Sequence, residues 1–141
     1  MHNTRSPLPS LRKKEDFKRT FRGKSAAGSL FVVYAAANDL GFHRLGLSVS
    51  KKVGCAVVRN RIKRWVRECC RLLFYEIDDK FHEKIGQTRS DFVGFDFIVI
   101  ARAPAANLSQ GAFALVCSAL AQLFGRLKVL TKVHLAKVTK T

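Results

Sequence analysis

Six cationic side chains, Arg59, Arg61, Lys63, Arg64, Arg67 and Arg71, fall within thirteen positions of CAVVRNRIKRWVRECCR (55–71), and Glu68 is the only acid among them. At about 100° per residue, Val58, Ile62, Trp65, Val66, Cys69, Leu72 and Leu73 share an arc of roughly 120°. The cations and Asn60 take the other side. The segment is therefore a two-faced helix, because a strand would mix Arg with Val on both faces and bury charge at high cost. Six cations against one anion leave the polar flank at net +5. Such a flank is often merely solvated, but one-signed density costs stability unless an anion neutralises it. Arginine dominance favours phosphate, since a guanidinium binds it bidentately where lysine offers a point charge.

No second chemistry competes with that one. His2, His43, His82 and His134 are scattered without metal-ligand spacing, and there is no nucleophile–base pair and no glycine-rich phosphate loop. No catalytic residue is expected, and no metal site. Cys55, Cys69, Cys70 and Cys117 contain no Cys-x-x-Cys pair, so four free and mostly buried thiols are expected. Phe17 and Phe21, four apart, share one face of a helix. Such a pair serves either a core or a stacking surface.

The charge balance narrows the partners. With 26 Lys and Arg against 10 Asp and Glu, the 141-residue chain carries a formal charge of +16 and a pI near 10.4. That excess calls for a polyanion, either nucleic acid or an anionic membrane. No apolar run reaches the roughly 20 residues of a membrane span and no signal peptide is visible, so a cytoplasmic protein is expected. Three rivals remain at this stage. A DNA-binding module needs a partner helix joined by a short turn, whereas RLGLSVSKK upstream reads as a strand. A structural ribosomal protein would also be small and basic. Membrane-surface binding would need an apolar arc that the fold already uses.

The elements that must position these residues follow from local pattern. Residues 1–10, with Pro7 and Pro9, read as an extended lead-in. Ser10 is expected to cap a helix to about Phe21, ended by Gly23. SLFVVYAAA (29–37) reads as a largely buried strand. In HRLGLSVSKK (43–52), Leu45, Leu47 and Val49 alternate with Arg44, Gly46, Ser48 and Ser50, so one strand face is small and polar and admits close approach. Residues 75–96 hold six of the ten acids and read as a solvated connection. FDFIVIAR (95–102) is a third strand closed by Pro104. Asn107 is expected to open a helix in a capping box with Gln110. Its stripe is Leu108, Ala112, Leu115, Val116, Ala119, Leu120 and Leu123. Residues 129–141 form a basic tail, and one domain spans 11–128.

The stretch RLGLSVSKKVGCAVVRNRIKRWVRE, preceded by LRKKEDFKRTF, resembles the signature of the bacterial ribonuclease P protein subunit. There, a strand ending in Lys-Lys leads through glycine into a helix bearing Arg-Asn-Arg-x-x-Arg. The resemblance implies a single compact two-layer α+β sandwich, in the order helix, strand, strand, helix, strand, helix, with an uncommon left-handed crossover. It implies a subunit that binds the catalytic RNA and the 5′ leader of precursor tRNA, promoting endonucleolytic removal of the leader. The hydrolysis would be performed by the RNA with Mg2+, none held by the protein, and no protein partner or membrane is required. Arg59, Asn60, Arg61, Lys63, Arg64 and Arg67 match the RNA-binding helix. Phe17, Phe21 and Tyr34 match the leader cleft, with Lys51 and Lys52 at its edge. Aromatics beside a small polar strand face in a cationic groove suit single-stranded RNA. Three departures stand out: Cys55 where the family often has Asn, a long acidic connection at 76–94, and a tail without a family motif.

Overall fold

The computed structural model describes residues 8–85, 94–108 and 111–127, and within them every side chain save those of 75–85. The chain runs α1 (Lys14–Phe21), β1 (Lys24–Ala27), β2 (Phe31–Asn38), β3 (Arg44–Ser48), α2 (Ala56–Ile85), β4 (Gly94–Ala101), a 3-10 helix (Ala103–Asn107) and α3 (Phe113–Arg126). The fold is α+β, as expected, with one strand more than the sequence pattern indicates. KSAA in β1 lacks the apolar alternation of a strand. Its pairing with β2, from Lys24 opposite Ala35 to Ala27 opposite Val32, supplies the order instead.

The sheet order is β1-β2-β4-β3. β4 lies antiparallel to β2, with Phe31 opposite Ala101 and Asn38 opposite Gly94. It lies parallel to β3, with Arg44 beside Asp96 and Ser48 beside Ile100. The outer edge of β3 is engaged by the lead-in. Leu45 N–H donates to the Pro9 carbonyl (2.9 Å) and Leu11 N–H donates to the Leu45 carbonyl (3.1 Å). Ser10, the expected helix cap, instead bridges to Leu45. α1 starts after Lys13, without a side-chain cap.

One sheet face is the core. Phe31, Val33, Ala35, Phe97 and Val99 pack there against Ile62, Val66, Leu73 and Phe74 of α2 and Val116, Leu120 and Phe124 of α3. The expected dry arc of α2 holds except at Leu72, which is 42% exposed. Trp65 packs against this core, partly buried. His43 is buried with it, its ring 5.1 Å from that of Phe74, and its Nδ1 accepts from Phe95 N–H at 3.0 Å. The short α1 crosses the opposite face.

Three further expectations are corrected. Asn107 ends the 3-10 helix and does not open an α-helix. Gly111, at φ 89°, turns the chain before α3 begins at Phe113. With that later start the buried stripe is Val116, Leu120, Ala121, Leu123 and Phe124, and Leu115 is exposed. Gln110, its expected capping partner, lies outside the described residues. Second, the acidic stretch begins as helix, since α2 continues to Ile85. Third, the thiols are not all free. Cys69 on α2 and Cys117 on α3 form a disulfide across 48 residues with Cα atoms 5.3 Å apart, and Cys55 and Cys70 remain free. The helix–helix contact that brings them together is invisible in their spacing. Residues 1–7 of the lead-in, 86–93 of the connection, residue 128 and the whole tail, 129–141, lie outside the described residues.

Candidate nucleic-acid interface

The cationic flank of α2 divides into cations held by the fold and cations left for a partner. Arg59, half-buried, donates through Nε to the Gly54 carbonyl at 3.1 Å, tying the first turn to the preceding loop. Arg61 leans the other way. Its Nη2 reaches the Leu108 carbonyl at 3.4 Å and its guanidinium lies 5.3 Å from the centroid of the Trp65 ring. Arg71 pairs with Glu68, one turn back. Arg64, Arg67 and Asn60 are exposed and Lys63 is half-buried, and none of the four has an ion pair or side-chain hydrogen bond among the described residues. Cys55 stands just ahead of the helix, fully exposed. The backbone N–H groups of Val58 and Val57 face its sulfur and draw the thiol below its ordinary range, with Arg59 adding to the pull.

The second surface is the face of the sheet crossed by α1. Strand alternation and register arrange this face in three rows. The first is Ala36, Asp96 and Arg44; the second Tyr34, Ile98 and Gly46; the third Val32, Ile100 and Ser48. α1 covers the first two. Its Asp16 and Arg19 reach toward the first row and its Phe17 and Phe21 toward the second. A Cβ on Gly46 would stand 2.8 Å from Cε1 of Phe17 and 3.1 Å from a methyl of Leu11, so only glycine leaves Phe17 its seat. Phe21 stands edge-on to Tyr34 with ring centroids 4.9 Å apart, and is 44% exposed. In the third row, Val32 and Ile100 are half-exposed and Ser48 is exposed. The result is an open ledge, called the groove below, floored by that row and flanked on one side by two rings of α1, and beyond β3 the chain continues into exposed Lys51 and Lys52. The small face of β3 does admit close approach, and Phe17 is what approaches.

α1 is held in place by an arrangement that sequence reasoning missed. Asp96 is fully buried on the α1 side of β4. Its Oδ1 accepts from Asn38 Nδ2 (2.8 Å) and Arg44 Nε (2.8 Å), and its Oδ2 from Arg44 Nη2 (2.7 Å) and from Arg19 Nη2. Arg19 also donates to the Ala37 carbonyl at 2.7 Å, and Arg44 reaches Asp16 at 3.3 Å. Burial pushes the Asp96 carboxyl up. The hydrogen bonds from Arg44 and Asn38 and the charges of Arg44 and Arg19 outweigh it and hold the group below the usual carboxylate range. Arg44 is correspondingly raised, chiefly by its hydrogen bond to Asp96. Three strands, β2, β3 and β4, and α1 thus meet at one carboxylate. The available signal was an aspartate inside the apolar strand FDFIVIAR, where an unpaired acid would be costly.

Among the described residues no group of three or more His, Cys, Asp or Glu could hold a metal ion, and no helix is long and apolar enough to cross a membrane. What the arrangement offers is a charged helix flank and an aromatic groove, on different elements and joined by one basic turn. Fold and surfaces together define a small basic α+β protein built around such a groove. A family model described as ribonuclease P matches residues 7–128. The chain is 43% identical over 100 residues to the ribonuclease P protein component of Listeria welshimeri, covering 70% of this chain and 72% of that one. It is 41% identical over 123 residues to that of an Exiguobacterium species, covering 86% and 92%. The solved structure of the Staphylococcus aureus RNase P protein superposes with a TM-score of 0.63 at 35% identity, covering 86% of this chain and 97% of that one. The RNase P protein from Thermotoga maritima gives 0.56 at 31% identity, covering 86% and 97%. The chain belongs to the bacterial ribonuclease P protein family, the protein component of an endoribonuclease.

Proposed function

We propose that this chain binds the catalytic RNA of ribonuclease P through the exposed flank of α2 and receives the 5′ leader of precursor tRNA in the groove, in the cytoplasm. Arg59, Asn60, Arg61, Lys63, Arg64 and Arg67 form the RNA-binding helix. Phe17, Phe21 and Tyr34 stack leader bases, and Lys51 and Lys52 neutralise phosphates where the leader passes toward α2. The RNA subunit, with Mg2+, supplies the hydrolytic chemistry. The protein's contribution is affinity and placement. The observation that carries this reading is the groove itself, with a half-exposed aromatic wall beside a half-exposed strand row that leads to exposed cations without an ion pair among the described residues. A groove so built takes flat bases on one side and phosphates on the other, the demand of single-stranded RNA.

Reconstitution with the cognate RNA at low Mg2+ tests it. The wild-type chain should restore leader removal, and Arg64→Ala should weaken it while leaving the fold intact by circular dichroism. Several neutralised phosphates also imply a steep salt dependence, with six to ten contacts losing roughly 10³–10⁵ in affinity between 50 and 200 mM. Failure to restore processing, or equal competition by duplex DNA, would remove the reading.

A further inference from the structure

α1 carries a repeat that the functional reading does not absorb. In KEDFKRTFR, Lys14 lies three residues before Phe17 and Lys18 lies three before Phe21, so each ring has a lysine one turn back on the adjoining stripe of the helix. Arg22 continues that stripe at the helix end. Lys14, Lys18 and Arg22 are all exposed, and none makes an ion pair or side-chain hydrogen bond among the described residues. Of the two acids on α1, Asp16 is turned inward to Arg44 and Glu15 is exposed.

As a solvated face this stripe is poorly made. Lys14–Lys18 and Lys18–Arg22 are like-charge pairs at i,i+4, each unfavourable to an eight-residue helix. Lys14 also stands in the first turn, where the helix dipole disfavours a cation. As a rim to the groove it is well made. Positions four apart advance about 6 Å along the axis, close to the step between neighbouring phosphates of an extended single strand. The unit of lysine outside and ring inside recurs at that step, as phosphate outside and base inside recur along RNA.

We propose that Lys14, Lys18 and Arg22 are the phosphate-binding rim of the groove, contacting successive phosphates of the precursor's 5′ leader while its bases lie against Phe17, Phe21 and Tyr34. This rests on the leader groove proposed above, and it assigns the outer flank of α1 to the substrate strand and not to the catalytic RNA.

The test uses the reconstituted holoenzyme with precursor tRNA and with leaderless mature tRNA. Replacing Lys14→Gln, Lys18→Gln and Arg22→Gln together removes three charges and relieves two repulsions, so the helix should be kept. At about 0.7 counterions per single-strand phosphate, the log–log salt slope for precursor tRNA should flatten by about 2. Affinity near 0.1 M salt should fall on the order of a hundredfold. Affinity for leaderless tRNA and for the RNA subunit should stay at wild type, and Lys14→Arg, Lys18→Arg, Arg22→Lys should keep the wild-type slope. An unchanged slope, an equal loss with leaderless tRNA, or a loss of assembly with the RNA subunit overturns the proposal. Phe21→Ala separates the two levels. If Phe21→Ala abolishes the leader's contribution and the triple variant does not, the rim alone is wrong. If Phe21→Ala leaves that contribution whole, the groove reading falls and the rim with it.

Discussion

Replacing Asp96 with asparagine keeps the shape of the side chain and removes the charge on which Arg19 and Arg44 converge. The Oδ1 bonds from Asn38 and Arg44 Nε can persist, while the two bonds to Oδ2 are lost and an amide N–H faces two guanidinium groups. A hydrogen bond to a charged group is worth roughly 1.5–3 kcal/mol. Arg19, with 41% of its side chain exposed, rehydrates and loses little, whereas Arg44 at 18% does not. The expected loss is therefore about 3 kcal/mol at pH 7, the lower end for breaking a buried pair. Urea unfolding at pH 7 should show it as a lower midpoint at unchanged m-value. The pH dependence is a second constraint. Because the folded-state pKa of Asp96 is held below its unfolded value, its stabilisation is present above about pH 4 and is lost as pH falls through the folded value. The gap between wild type and Asp96→Asn should thus be widest near neutrality and close in acid, where both side chains are uncharged. A gap under about 1 kcal/mol at pH 7, or one that does not narrow in acid, would refute the assignment of Asp96 as the charged anchor of α1.

Gly46→Ala places a methyl 2.8 Å from the Phe17 ring. Overpacking of this kind costs roughly 1–3 kcal/mol and should lift Phe17 from the sheet; thermal unfolding and leader-dependent affinity should both fall, and a variant with wild-type values in both would show that the ring has another seat. Reduction of the Cys69–Cys117 bridge releases a 48-residue constraint, worth about 4 kcal/mol by loop-closure entropy, so the urea midpoint should drop on adding reductant and stay put if the bridge does not form. Cys55, exposed and with its thiol lowered, should alkylate with a pH midpoint below the ordinary value of about 8.5. Buried Cys70, with its thiol pushed far up by burial, should react only after unfolding; mass spectrometry of the native protein distinguishes the two, and equal labelling would contradict the burial.

The parts of this protein set by local periodicity were legible in the sequence. The two-faced α2 could be placed because burying its arginines in any other geometry is so costly, and the dry arc then holds from Val58 to Leu73 with Leu72 as the exception. The strand around Leu45 and Leu47 was legible through its small opposite face. What was not legible depends on partners distant in the chain. β1 is a strand only because β2 lies beside it, and Asp96 is tolerable only because Arg19 and Arg44 arrive from elsewhere. The pairing of Cys69 with Cys117 follows from the contact of α2 with α3. The start of α3 was misplaced because Asn107 offers a good capping side chain, while the tertiary path spends that residue on closing a 3-10 turn. Phe17 and Phe21 were visible as a pair, but their seats over Gly46 and Tyr34 needed the register of the sheet.

Among the described residues, β4 is the last strand to be made and the only one that touches both β2 and β3. Until residues 94–101 have left the ribosome, the two earlier strands lack the neighbour that joins them, and this long-range pairing makes for slow folding. A growing chain therefore displays its arginine-rich helix before it owns a groove, since Ile98, Ile100 and Asp96 are all still to come. If the leader groove proposed above is correct, a nascent or truncated product would carry the cationic helix without the surface that receives the leader. The sheet face bearing Asp96, Ile98 and Ile100, on which α1 and its rings are seated, is thus completed only when β4 is made.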